Sequence, residues 1–134
     1  MTKRIKHIGL AVENLEAAGE FFRKHFRLPI SEQEHFGELI FSFLPLEGTS
    51  LELLQSTSDG GQIAKFIRNK GQGVHHIALE ADDVQAELDR LKAEGVTLIN
   101  EKPYPNAHGD LVAFLHPKST YGVLIELIQS RKEA

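Results

Sequence analysis

The stretches HIGLAVENLEAAGEFFRKHF, residues 7–26, and HIALEADDVQAELDRLKAEG, residues 76–95, decide the fold because they are two writings of one pattern. Each opens His-Ile-x-Leu, passes a short acidic or amide turn, and continues with helical spacing. The halves also close alike. SLELLQ at residues 50–55 and VLIELIQ at residues 123–129 each set a Glu among apolar neighbours. His7 and Glu52 are 45 positions apart, His76 and Glu126 are 50 apart, and the surplus falls in a loop of the second half.

Between these landmarks the elements follow from periodicity. Residues 5–12 alternate Ile5, His7, Gly9 and Ala11 with Lys6, Ile8, Leu10 and Val12, which suits a strand covered on both faces. Asn14 and Asp83 are in place to cap helices. Leu15, Ala18, Phe22 and Phe26 form the apolar stripe of the first helix; Val84, Leu88 and Leu91 form that of the second, which Gly95 stops. Strands are expected near 28–35, 38–45 and 49–56, and again near 97–101, 110–116 and 122–129, with LEGT and HPKSTYG as turns. The repeating unit is β-α-β-β-β. Module one covers residues 5–56 and module two residues 74–130, within one domain of residues 1–134. The segment 57–73 reads as a linker with a short helix through Ile63, Phe66 and Ile67.

Composition narrows the chemistry. A chain of 134 residues suits one domain with a core of its own. It has no cysteine, so a thiolate site and a disulfide framework are both excluded, as in a protein of a reducing, cytoplasmic setting. The net charge of −4, with Lys and Arg dispersed, offers no basic field for nucleic acid. The apolar run after the basic start is broken by His7 and Glu13, which argues against a signal peptide or membrane span.

If the first and last strands of each module are neighbours, His7 and Glu52 share a face, as do His76 and Glu126. Two imidazoles and two carboxylates related by the repeat suit a divalent first-row metal, whereas calcium would call for oxygen alone. Cobalt, zinc, nickel, manganese and iron all accept that donor set. A single strand histidine is more often a satisfied core or surface residue than a ligand. A carboxylate set among leucines, however, is costly without a cation, and here the His and the Glu both recur. His75 should face away from His76. His25, His35 and His108 read as solvent-exposed, and His116 as stabilising its turn.

The paired modules, with His on the first strand and Glu on the last, resemble the vicinal-oxygen-chelate superfamily. The segments GVHHIALEADD, LKAEGVTLINEKP, AHG and FLHPKSTYGVLIELIQ, with IAKFI in the linker, are similar to methylmalonyl-CoA epimerases. The resemblance implies an α+β, glyoxalase-like fold in which two tandem β-α-β-β-β modules form a curved, cup-like mixed sheet with helices outside. It implies His7, Glu52, His76 and Glu126 as metal ligands, and a further catalytic glutamate for which Glu38 stands nearest in sequence.

The implied reaction is inversion at the carbon between a thioester and a carboxylate, through a metal-stabilised enolate. One group removes the α-proton and another returns it on the opposite face. Glu126 is expected on one face, and Glu52 or Glu38 on the other. An acyl-CoA substrate would set its phosphates near Lys118, Lys65, Arg68 or Lys70, although surface cations more often serve solubility. A homodimer is expected. The rival readings are a glyoxalase-I-like lactoylglutathione lyase, which would use the same ligands, and a metal-free small-molecule-binding protein of the bleomycin-resistance type.

Overall fold

Residues 2–131 are described, in a computed structural model of the chain. The first His-Ile-x-Leu segment lies in β1 (Thr2–Ala11) and leads into α1 (Leu15–Phe26). Asn14 caps that helix, its Oδ1 accepting from Ala17 N–H at 2.9 Å. Three strands follow: β2 (Glu34–Phe36), β3 (Leu39–Leu46) and β4 (Thr49–Ser56). The helix α2 (Gln62–Lys70) then leads to the second writing of the pattern. There β5 (Gly73–Ala81) precedes α3 (Val84–Ala93), which Asp83 caps through Ala86 N–H at 3.1 Å. The chain closes with β6 (Tyr104–Pro105), β7 (Leu111–Leu115) and β8 (Ile125–Gln129).

The chain divides into two compact units, one being His7–His75 and the other holding the described residues up to Lys6 and from His76 onward. In the first unit β1 runs parallel to β4 with Gly9 opposite Glu52, and β3 joins β4 and β2 antiparallel. In the second, β5 runs parallel to β8 with Ala78 opposite Glu126, and β7 joins β8 and β6 antiparallel. Each module therefore makes its first and fourth strands neighbours, as the proposed constellation requires.

Alternation gives each sheet two faces. In the first unit α1 covers one face, with Leu15, Ala18 and Phe22 against Leu44 and Leu53. On the other face α2 sets Ile63, Phe66 and Ile67 against Ala11, Phe41 and Leu54. In the second unit α3 packs Val84, Leu88 and Leu91 on Ala113, Leu115 and Leu127, while Ala78, Val112 and Ile128 form a buried cluster of their own.

Three expectations about elements need correction. Phe26 is 60% exposed rather than part of the α1 stripe. The strand expected over 28–35 shrinks to Glu34–Phe36, because Arg27 turns left-handed at the helix end and residues 28–33 carry no ladder. The strand expected at 97–101 is one bridge, Leu98 to Leu115. There the Asn100 side chain accepts from Phe114 N–H at 2.8 Å, so a side chain replaces the ladder and the edge strand starts at Tyr104.

Candidate functional site

β1 delivers His7 and β4 delivers Glu52. Because Gly9 lies opposite Glu52, His7 stands on the same face two residues earlier, and its Nε2 lies 3.3 Å from Glu52 Oε1. Both residues are buried, at 7% and 9% exposure. Phe43, opposite Glu52 on β3, sets its ring edge-on to His7 with centroids 6.0 Å apart.

The second unit repeats the arrangement. His76 Nε2 lies 3.2 Å from Glu126 Oε1, and both residues are buried. Phe114, opposite Glu126 on β7, meets His76 edge-on at 6.0 Å. Thus His, Glu and Phe recur at corresponding places on corresponding strands.

Each pair brings a nitrogen and a carboxylate oxygen together where water is largely shut out. A buried carboxylate is costly unless a cation or strong donors hold it. Imidazole nitrogen and carboxylate oxygen are also the donors that a divalent first-row cation accepts, so the residues present fit such an ion. The aromatic wall lowers the local dielectric and strengthens whatever charge interaction forms there.

The other expected site residues are exposed. Glu38 sits in the turn between β2 and β3, exposed, and accepts from the Ser58 hydroxyl at 3.1 Å. Its carbonyl takes the N–H of Thr57, which lies just past the end of β4, five residues beyond Glu52 and about 16 Å away at the strand rise. Glu38 therefore does not join His7 and Glu52. Lys118 is exposed in the short 3-10 turn Pro117–Ser119, and Lys65 and Arg68 are exposed on α2. Arg68 donates to Asp59 O at 2.8 Å and borders a cleft of about 750 Å³ with Val12, Glu13 and Ser58. Lys70 lies 5.9 Å over the Phe66 ring.

The remaining histidines fall where alternation and turn chemistry place them. His75 packs edge-on against Phe66 at 5.0 Å, and His116 Nδ1 accepts from Lys118 N–H at 3.0 Å. His25, His35 and His108 are exposed.

Two features had no reading in the sequence. Gln55 Oε1 accepts from Leu15 N–H at 2.7 Å, and Gln129 Oε1 accepts from Val84 N–H at 3.0 Å. Each glutamine, three residues after the site Glu and therefore on the opposite face, takes the first N–H of its own module's helix. The recurrence of Gln in SLELLQ and VLIELIQ was the available signal. The second feature is Tyr104, whose phenol is held above its usual pKa by burial and then by the charge of Glu126.

Comparison with known proteins agrees with this geometry. Residues 6–114 match the model of the Glyoxalase/Bleomycin resistance protein/Dioxygenase superfamily. The ethylmalonyl-CoA/methylmalonyl-CoA epimerase of Cereibacter sphaeroides is 39% identical over 96% of this chain and 99% of its own length. The mitochondrial methylmalonyl-CoA epimerase of Dictyostelium discoideum is 37% identical over 92% of this chain and 76% of its own. Among solved structures, a variant of Streptomyces coelicolor methylmalonyl-CoA epimerase in complex with 2-nitronate-propionyl-CoA superposes with a TM-score of 0.90. It is 31% identical and covers 98% of this chain and 100% of its own.

Proposed function

The chain belongs to the Glyoxalase/Bleomycin resistance protein/Dioxygenase superfamily, in its methylmalonyl-CoA epimerase family, and from that premise we propose that it interconverts the 2R and 2S forms of methylmalonyl-CoA. The observation that carries the reading is the buried imidazole–carboxylate pair, made once in each unit at 3.2 to 3.3 Å. His7, Glu52, His76 and Glu126 are the ligands for a divalent cation in this proposal. When bound, that cation supplies Lewis-acid stabilisation to the charge that develops on the thioester oxygen as the α-carbon loses its proton.

The chain's own residues do the rest. Glu126, as the carboxylate, accepts the α-proton on one face of the substrate, and Glu52, entering the turnover as the carboxylic acid, delivers its proton on the other; the reverse direction exchanges the two roles. Both carboxylates are held by their strands and by the facing Nε2 of a histidine, so neither has to be ordered when substrate arrives. Phe43 and Phe114 keep bulk water from the pairs. Glu38, exposed in the β2–β3 turn, is assigned no role in this proposal. Lys118, Lys65 and Arg68, all exposed, are the cations offered to the phosphates of an acyl-CoA.

A homodimer and a cytoplasmic place of action complete the reading. The first is supported by Phe21 and Phe26, exposed by 52% and 60% on α1. No helix among the described residues is long and apolar enough to cross a membrane.

Metal-loaded protein in deuterated buffer tests the assignment: methylmalonyl-CoA should lose its α-proton signal in the NMR spectrum. Absence of exchange, with metal content confirmed, ends the epimerase reading and makes a methylglyoxal–glutathione assay the next experiment. Elemental analysis of the protein as purified, before loading, identifies the ion it carries.

A further inference from the structure

The second unit carries one hydroxyl that the mechanism above leaves unused. Across its sheet Tyr104 lies opposite Val112, Val112 opposite Ile128, and Phe114 opposite Glu126. Paired residues share a face and alternate residues return to it. Tyr104, Val112, Ile128, Phe114, Glu126 and His76 are therefore all on one side of this sheet. The middle of that face is closed, with Ala78, Val112 and Ile128 at 0%, 2% and 2% exposure. Tyr104 is where it opens, 40% exposed on the edge strand.

Reach supports a role. From β6 to β8 is two strand spacings, about 10 Å, and Glu126 stands two residues, about 7 Å, along β8 from the position level with Tyr104, so the two Cα atoms are about 12 Å apart; the roughly 6.5 Å from a tyrosine Cα to its hydroxyl spans about half of that, and the Glu126 side chain takes up part of the rest. A neutral donor that keeps its proton beside a carboxylate suits an anionic oxygen better than a second carboxylate would. It also brings none of the desolvation cost of a lysine.

We propose that the Tyr104 hydroxyl is a substrate-binding group that donates a hydrogen bond to the free carboxylate of a 2-carboxyacyl-CoA, and so selects such substrates over plain acyl-CoAs. This rests on the epimerase reading. The substrate's free carboxylate is what separates methylmalonyl-CoA from propionyl-CoA, and Tyr104 stands at the open end of the face that carries His76 and Glu126.

The test is Tyr104→Phe, which keeps the ring and removes the hydroxyl. Metal-loaded wild type and variant are titrated calorimetrically with methylmalonyl-CoA and with propionyl-CoA, with metal content measured in both. Loss of a hydrogen bond to a charged group should weaken methylmalonyl-CoA binding about tenfold or more, leave propionyl-CoA within about twofold, and leave metal content unchanged. Equal weakening of both ligands, or of neither, overturns the assignment. If the wild type itself prefers neither ligand, the epimerase reading fails and takes the Tyr104 role with it. That outcome is distinct from a wild type that discriminates and a variant that discriminates equally.

Discussion

Replacing Gln55 or Gln129 with methionine should lower stability while leaving the site residues in place. Methionine matches glutamine in length but cannot accept from an amide as an oxygen does. In the wild type Gln55 takes the Leu15 N–H at 2.7 Å, and Gln129 takes the Val84 N–H at 3.0 Å. Both donors are the first amides of helices, where no intrahelical partner exists, and Leu15 and Val84 are 2% and 0% exposed. A part-buried amide stripped of its acceptor costs about 1–2 kcal/mol. For a chain of this size each kcal/mol moves the melting temperature by roughly 4 °C, so each variant should melt about 4–8 °C lower. The two glutamines serve different helices, and their effects should add.

Urea unfolding measures the loss, and amide hydrogen exchange followed by NMR locates it at Leu15 or Val84. Gln55→Glu keeps an acceptor and adds a negative charge at a helix N-terminus, so it should recover most of what methionine loses. Unchanged protection of the Leu15 amide in Gln55→Met, or a Glu variant no more stable than the Met variant, would refute the reasoning.

Other expectations follow from single contacts. The double variant His7→Ala, Glu126→Ala removes one proposed ligand from each pair and should copurify with far less divalent metal than the wild type, read by elemental analysis; equal content would sink the ligand assignment. Gly61→Ala should destabilise by about 1–3 kcal/mol in chemical unfolding. The new Cβ would stand 2.8 Å from Ser56 Cβ, beside the hydroxyl that accepts from Ala64 N–H. The raised phenol of Tyr104 makes the folded state hold its proton longer than the unfolded chain does. Its contribution is therefore intact below the unfolded value near 10 and is lost as pH rises through the folded value. Melting curves between about pH 9 and 11 should decline less steeply in Tyr104→Phe.

Much of this was legible because duplication makes weak signals mutually supporting. One histidine on a strand says little, but His7 and His76 each followed at similar distance by a Glu among leucines pointed to paired strands, and β1–β4 and β5–β8 are those pairs. The caps Asn14 and Asp83 were equally plain, since an Asn or Asp just before an apolar stripe has a local physical reason to be there. What escaped depends on distant partners. Glu38 stood nearest in sequence to the further glutamate that the resemblance implies, yet the tight turn at residues 37–38 places it at the far end of the hairpin. The edge strand of the second module could not be placed because Asn100 competes for the Phe114 backbone, and that competition exists only after folding. Tyr104 sits between Pro103 and Pro105, a setting that reads as loop although proline is tolerated on an edge strand.

The division of β1 makes the second unit depend on the start of the chain. Residues 2–6 belong to the unit made mostly of the second module, where Lys3 pairs with Asp82 at 2.5 Å and Arg4 and Lys6 reach Glu80 at 3.3 and 3.9 Å. The duplicated halves are thus not interchangeable beads. A chain bearing only the later module would leave Glu80 and Asp82 without these cations, because the residues equivalent to Lys3, Arg4 and Lys6 on its own leading strand are Gln72, Gly73 and His75. The later module is therefore completed by five residues that the chain writes about seventy positions earlier.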